Sequence, residues 1–293
     1  MPSQATQPNA LNKPPKPIKL IAIDIDGTLL DSNWRIPESN RLAIVEALSR
    51  GIDVVLVTGR RFDFALPVAS SLPDSILLIC SNGALIKKMN GETYLRHLLD
   101  REIAREVLAA TASYRIGCAL LFDRAKDGQV VYENINLDDP DRRAYYNRNR
   151  EFLLQVKPLE SALTEDPIQV MFTGGFERMR AVKHLLETAP ISQRYSVAIT
   201  EYEKKDFSIL DINARGISKG TTLKEWTRRI GIEREEVMAV GDNWNDHDML
   251  EFAGFAVVMG NCVPELRNCG WPVTLTNDEG GLGHAIRTYA LAN

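Results

Sequence analysis

Long hydrophobic runs are missing from this sequence. The longest apolar stretches are short, such as residues 20–23, against the roughly 20 residues that cross a bilayer, so no membrane-spanning segment is expected. Cysteine is scarce. The four thiols, Cys80, Cys118, Cys262 and Cys269, form no C-x-x-C pair, which points away from a zinc knuckle or a disulfide framework and toward reduced thiols in a cytoplasmic protein. A strong charge of either sign is also absent: 35 lysines and arginines face 39 aspartates and glutamates, a net charge of −4. That balance supplies no field for nucleic acid or an anionic membrane, so an anionic partner must be held locally. The first 17 residues contain Pro2, Pro8, Pro14, Pro15 and Pro17 but no apolar signal core and no arginine, so residues 1–17 read as a flexible tail rather than a targeting segment. No internal repeat recurs at a fixed period.

What is present suits a globular enzyme of two domains. The 293 residues are 44% hydrophobic and 25% charged, within the usual soluble range. Residues 18–23 are apolar without alternation, as a strand covered on both faces requires. Pro37, then Leu42, Val45 and Leu48 at spacing three, then Gly51, predict an amphipathic helix with those three residues inward. Apolar strands follow at 53–57 and 76–79, the latter after a helix interrupted by Pro67, and the signature returns at 237–240 and 255–259. Alternating strands and helices argue for an α/β parallel sheet. Between these blocks, helix patterns at Ile103, Val107 and Leu108 and at Phe176, Met179, Val182 and Leu186 mix with strands near 119–122, 195–200 and 207–212. This block is large enough to be an inserted α+β domain.

Chemistry concentrates at the strand ends. The first strand runs into Asp24-Ile25-Asp26-Gly27-Thr28, which sets two carboxylates at the carboxyl edge of the sheet, where open α/β sheets bind ligands. One such carboxylate could attack phosphorus and the other move a proton. A calcium loop is a poor fit, because its glycine would stand at the sixth position rather than the fourth. The second strand ends in Thr58-Gly59-Arg60, a hydroxyl and amide suited to phosphate oxygens. Ser218-Lys219-Gly220 opens a helix and places an ammonium beside its N-terminus, which favours an anion. A later strand ends in Gly241-Asp242-Asn243-Trp244-Asn245-Asp246, hard oxygen donors suited to magnesium. Each piece has an ordinary structural explanation, as a turn, a strand end or a helix cap. Together, in chain order, they supply a nucleophile, a phosphate holder, a neutralising charge and a metal site.

These segments, with Ser81-Asn82-Gly83-Ala84, the rest of the Asp242 motif through Leu250, Val258-Met259-Gly260-Asn261 and Asn277-Asp278-Glu279-Gly280-Gly281, resemble the haloacid dehalogenase-like superfamily, and within it the Cof-type phosphatases of subclass IIB. The resemblance implies a Rossmann-like parallel-sheet core at 18–84 and 213–293 with an inserted α+β cap at 85–212, which closes over the site to dry it and select the substrate. It implies Asp24 as nucleophile and metal ligand, and Asp26 as general acid and base whose carbonyl also binds Mg2+. Asp242 becomes a direct metal ligand, with Asn245 and Asp246 in support. Thr58, Gly59, Arg60, Asn82 and Lys219 would hold the substrate, and Thr58 and Lys219 the transferring phosphoryl group. Lys219 and the metal are expected to lower the proton affinity of Asp24, and desolvation to raise that of Asp26.

The implied activity is a magnesium-dependent phosphatase that removes phosphate from a small phosphorylated metabolite, a sugar phosphate or a phosphorylated cofactor, through an aspartyl phosphate. A phosphosugar mutase or other phosphotransferase, and a non-catalytic ligand-binding regulatory module of the same fold, are the rivals. The basic and aromatic run at 142–150 sits among Asp138, Asp139, Asp141 and Glu151 and reads as a solvated cap helix rather than a nucleic-acid patch. His247 is expected at the surface or behind the metal ligands, and His97, His184 and His284 lack partners at ligand spacing. Trp34, Trp226, Trp244 and Trp271 are expected to pack rather than stack on ligands, although Trp34 and Trp244 sit near active-edge loops. The oligomeric state is left open.

Overall fold

The computed structural model describes residues 13–137, 143–202 and 206–292. Residues 1–12 of the expected tail, and residues 138–142 of the polar run, lie outside the described residues. The chain divides into two units, Met1–Tyr94 with Lys219–Asn293, and Leu95–Ser218. In chain order the strands are β1 (Leu20–Asp24), β2 (Asp53–Val57), β3 (Leu77–Cys80), β4 (Leu85–Lys88), β5 (Thr93–Arg96), β6 (Cys118–Leu121), β7 (Val130–Tyr132), β8 (Leu153–Gln155), β9 (Gln169–Gly174), β10 (Tyr195–Tyr202), β11 (Phe207–Ala214), β12 (Val237–Gly241) and β13 (Phe255–Val258). The helices are α1 (Glu38–Ser49), α2 (Phe62–Ala69), α3 (Arg101–Ala110), α4 (Arg143–Arg148), α5 (Phe176–Thr188), α6 (Lys219–Ile230), α7 (His247–Phe252), α8 (Pro264–Arg267) and α9 (Gly281–Ala285).

One sheet has the order β13-β12-β1-β2-β3-β4-β5. From β13 to β3 it is parallel, and β1 and β12 are buried along their whole length, which is why both read as unbroken apolar runs. The chain steps from β1 through β2 to β3 on one side and returns to β12 and β13 on the other. The β1/β12 boundary is therefore a switch point, where the loops leaving two neighbouring strands diverge and open a crevice. β4, expected in the inserted domain, instead pairs antiparallel with β3 and extends this sheet. Four residues separate the two strands, enough for a direct return but too few for a parallel crossover.

Two helix expectations are corrected. α1 buries Asn40, Ala43, Ile44 and Ala47, whereas Leu42 and Val45 are exposed. The inward stripe is small because α9 approaches closely: Gly283 N donates to Asn40 Oδ1 at 2.8 Å, and a Cβ at Gly283 would come within 2.6 Å of Ser39 O. Pro67 lies inside α2 rather than interrupting it; the helix ends only two residues later.

The Leu95–Ser218 unit carries a sheet of order β10-β11-β9-β6-β7-β8, antiparallel except between β7 and β8. Alternate residues of its strands, among them Leu120, Val170, Phe172, Leu210 and Ile212, pack with Val107 and Leu108 of α3 and Met179, Val182 and Leu186 of α5 in one apolar cluster. In the 143–150 segment Tyr146 is buried, while Arg143, Arg148 and Arg150 are exposed. Among the described residues no helix is long and apolar enough to cross a membrane.

Candidate active site

β1 and β12 are hydrogen-bonded neighbours in register Ile23↔Val240, so their carboxyl ends leave the sheet side by side and bring Asp24 and Asp242 to one place. β2 pairs with β1 in register Asp24↔Val57, which puts Thr58 at the same edge. Residues 25–29 then make a wide turn closed by Leu30 N donating to Ile25 O at 3.0 Å. Gly27 has φ +83° there, and a Cβ would stand 2.3 Å from Asp242 Oδ2; no side chain fits. Thr28 uses its hydroxyl to donate to Asp242 Oδ1 at 2.8 Å, locking the two loops together.

Lys219 opens α6 and is 1% exposed, and its ammonium donates to Asp24 Oδ1 and Asp246 Oδ1, each at 2.6 Å. Asp246 Oδ2 accepts from the backbone N of Asp242 and of Asn243, both at 3.1 Å. Both oxygens of Asp246 are thus engaged, and the residue orients Lys219 and the Asp242 loop. Gly220 lets α6 meet α7 at backbone distance: its N donates to Asp248 Oδ2 at 3.0 Å, and a Cβ would lie 2.4 Å from Asp248 O.

Ligand atoms of Asp24, Asp242 and Asp246 all lie within 4.8 Å of one another, and all three residues are buried. Three carboxylates share one ammonium. Burial, and next the Asp246 charge, push Asp24 up to about 8, while Lys219 pulls it down as expected from sequence. Burial and the charges of Asp24 and Asp246 likewise hold Asp242 well above the usual carboxylate range. Burial works against the charge on Lys219, but the two carboxylates outweigh it and hold the ammonium above its ordinary value. A dry cluster of hard oxygen donors with surplus negative charge fits a hard divalent cation, with Asp24 and Asp242 as the carboxylates available to it.

The remaining expected residues fall around this cluster. Thr58 is fully buried and accepts from Arg60 N at 3.1 Å through its hydroxyl, while its carbonyl accepts from Asn82 N at 3.1 Å. Asn82 adopts a left-handed backbone, φ +52°, and lies directly against Gly59. Arg60, expected on the substrate, directs its guanidinium to Asp26. Asn245 is half-buried in the turn between β12 and α7. His247 sits between aromatic rings, 4.6 Å from Trp244 and 5.6 Å from Trp271 by centroid. Trp226 packs against Tyr94 and Trp244 and Trp271 against His247, while Trp34 and Trp244, near the active-edge loops, remain 62% and 48% exposed.

Asn261, Asn277 and Asp278 acquire a role the sequence did not disclose. Asn261 Nδ2 donates to Gly27 O at 2.9 Å and its Oδ1 accepts from Asn277 N at 2.8 Å; Asn277 Nδ2 donates to Leu30 O at 2.9 Å. Asp278 Oδ1 accepts from Ser32 N at 2.7 Å. The C-terminal loops therefore brace the turn that carries Asp26. Only the clustering of amide and acid side chains in two short segments hinted at this.

A model of the haloacid dehalogenase-like hydrolases matches residues 21–286. Phosphatase YwpJ of Bacillus subtilis (strain 168) is 28% identical over 287 residues, spanning 92% of this chain and 99% of the relative. The 5-amino-6-(5-phospho-D-ribitylamino)uracil phosphatase YwtE of the same organism is 30% identical over 295 residues, spanning 92% and 97%. Among solved structures, a haloacid dehalogenase-like hydrolase from B. subtilis is 26% identical, with a TM-score of 0.78 over 92% of this chain and 99% of that one. The edge of acidic strand ends belongs to a chain of that family: this protein is a haloacid dehalogenase-like hydrolase, and a phosphatase.

Proposed function

We propose that the chain is a Mg2+-dependent phosphatase of small phosphorylated metabolites that works through an aspartyl phosphate on Asp24. The observation that carries this reading is the buried set Asp24, Asp242, Asp246 and Lys219 at one sheet edge. Lys219 occupies Oδ1 of Asp24, which leaves Oδ2 to attack phosphorus. As that oxygen–phosphorus bond forms, the bond to the leaving oxygen breaks and Asp26 gives that oxygen its proton. Asp26 then takes a proton from water, the water oxygen bonds to phosphorus, and Asp24 is released as a carboxylate with inorganic phosphate. Asp24, Asp242 and the carbonyl of Asp26 would hold Mg2+, which supplies positive charge against the phosphoryl oxygens. Thr58, Gly59 and Asn82, with Lys219, form the phosphoryl-holding side of the site.

The Leu95–Ser218 unit acts as the cap that selects the leaving group, and the four cysteines, none of them in a disulfide, suit a cytoplasmic setting. Relatives named for a phosphorylated ribitylaminouracil put sugar-like and cofactor-like phosphate esters first among substrates to try. The test is phosphate release from a panel of such esters with Mg2+, followed by acid quench and mass spectrometry of the active-site peptide. An added phosphoryl mass on the peptide that holds Asp24, and loss of turnover with chelator that Mg2+ reverses, are expected. Chelator-resistant turnover, or label on another residue, would refute the assignment.

A further inference from the structure

Asp26 and Arg60 meet beyond the ends of β1 and β2. The guanidinium presents Nε to Oδ2 at 2.8 Å and Nη2 to Oδ1 at 2.5 Å. Such a two-pronged pair fixes the plane of a carboxylate as well as its place, which a single point charge does not. Arg60 is held in turn. Its backbone N donates to Thr58 Oγ1, Nη1 reaches Phe64 O at 3.4 Å, and the guanidinium carbon stands 5.5 Å from the Trp34 ring centroid and 5.7 Å from that of Phe64.

Trp34 has φ +61°, a backbone region that bulky residues avoid. A built turn keeps it there: Asp31 O accepts from Trp34 N at 3.0 Å, and Asp31 Oδ1 accepts from Asn33 N at 2.9 Å and Arg35 N at 2.8 Å. The Trp34 residue is 62% exposed, so burial does not account for this placement, and it sets the ring against the guanidinium.

We infer that Arg60 is a positioning residue for Asp26, supported by Trp34, and not a phosphate holder. This rests on the role proposed for Asp26, because Arg60 acts only through it. Asp26 stands on a glycine turn, and its side chain is 24% exposed. Without the fork that carboxyl rotates freely and loses its alignment with the leaving oxygen. The consequence depends on the leaving group. An alkoxide leaving a sugar phosphate needs the proton from Asp26 as the phosphorus–oxygen bond breaks, whereas a nitrophenolate leaves without it.

The experiment compares a sugar phosphate with nitrophenyl phosphate, both with Mg2+, for the unmodified chain and for Arg60→Ala, Arg60→Lys, Trp34→Ala and Asp26→Asn. Arg60→Ala should lower kcat on the sugar phosphate by roughly a hundredfold and on nitrophenyl phosphate by less than about tenfold, with KM nearly constant. Arg60→Lys keeps the charge but lacks the fork and should show the same split, which decides the matter if the alanine variant does not fold. Trp34→Ala should repeat the pattern at smaller size, and Arg60→Ala should add nothing to Asp26→Asn. Equal losses on both esters with raised KM, or no loss on either, would overturn the inference. No phosphate release from either ester by the unmodified chain would overturn the parent reading, and this one with it.

Discussion

The two units use the same apolar residue types in opposite ways. In the unit built on β1, β1 and β12 are covered on both faces, and Asp24, Thr58 and Asp242 stand at the carboxyl edge of the sheet. In the Leu95–Ser218 unit, the sheet turns one set of residues to α3 and α5. Strand β10 is half-buried along nearly all its length. The first arrangement sets chemistry at one rim; the second puts its apolar cluster on one face, while the other face carries buried polar side chains such as Gln169, Asp211 and Asn213. Rim substitutions should therefore remove activity without unfolding, and substitutions in the inserted unit's apolar cluster should unfold without touching the rim.

The sharpest break of that contrast would be an Asp24→Asn protein that still turns over. We expect a folded protein, with unchanged far-ultraviolet circular dichroism, whose phosphate release falls by roughly four orders of magnitude or more. Next is Phe172→Ala, which empties the centre of the inserted unit's cluster and should cost about 3–5 kcal/mol. Denaturant titration should show an early transition for that unit while residues near Asp24 keep their amide protection; a single shifted transition would mean the two units do not unfold separately.

A smaller effect separates the rim electrostatically. Asp24 ionises near pH 4 in the unfolded chain, and burial raises it to about 8 in the folded one, so the folded state keeps the proton longer. The stability this contributes is complete below about pH 4 and is lost as pH rises through about 8. In chelator the thermal midpoint should fall between pH 5 and 8.5, and Mg2+ should restore it; Asp242→Asn should flatten the fall by removing a second carboxyl whose proton affinity burial raises. A midpoint that rises over that range would contradict the crowded-carboxylate account. The smallest effect concerns α1: Leu42→Ser should change stability by no more than about 0.5 kcal/mol, whereas Ile44→Ala should cost about 2–5 kcal/mol. Reversed values would return the helix to the orientation its apolar spacing suggested.

Much of the core was legible because a strand buried on both faces has no period to misread. β1, β2 and β12 lie on their unbroken apolar runs, and Asp24, Thr58 and Asp242 at the ends of those runs mark the rim. The α1 face was not legible. Leu42, Val45 and Leu48 out-hydrophobe Ala43 and Ala47, yet the glycines of α9 admit only a shallow stripe. β4 fell within the block that the resemblance assigned to the cap, and only its pairing with β3 brings it into this sheet. Arg60 illustrates the same limit at the site: the resemblance implied a place on the substrate, and only the fold brings it to Asp26.

The order of strands and helices, the acids, hydroxyl and lysine at their ends, and the absence of any strong field for a charged macromolecule follow from the chain alone. They are local properties, written in composition and in the period of the apolar residues. Which carboxylates crowd one another, that Lys219 divides itself between Asp24 and Asp246, and that Arg60 takes Asp26 were decided by tertiary structure. The Lys219–Asp24 pair joins residues 195 positions apart, and the energies of such pairs depend on distance and burial, which no run of residues encodes until the sheet sets the loops side by side.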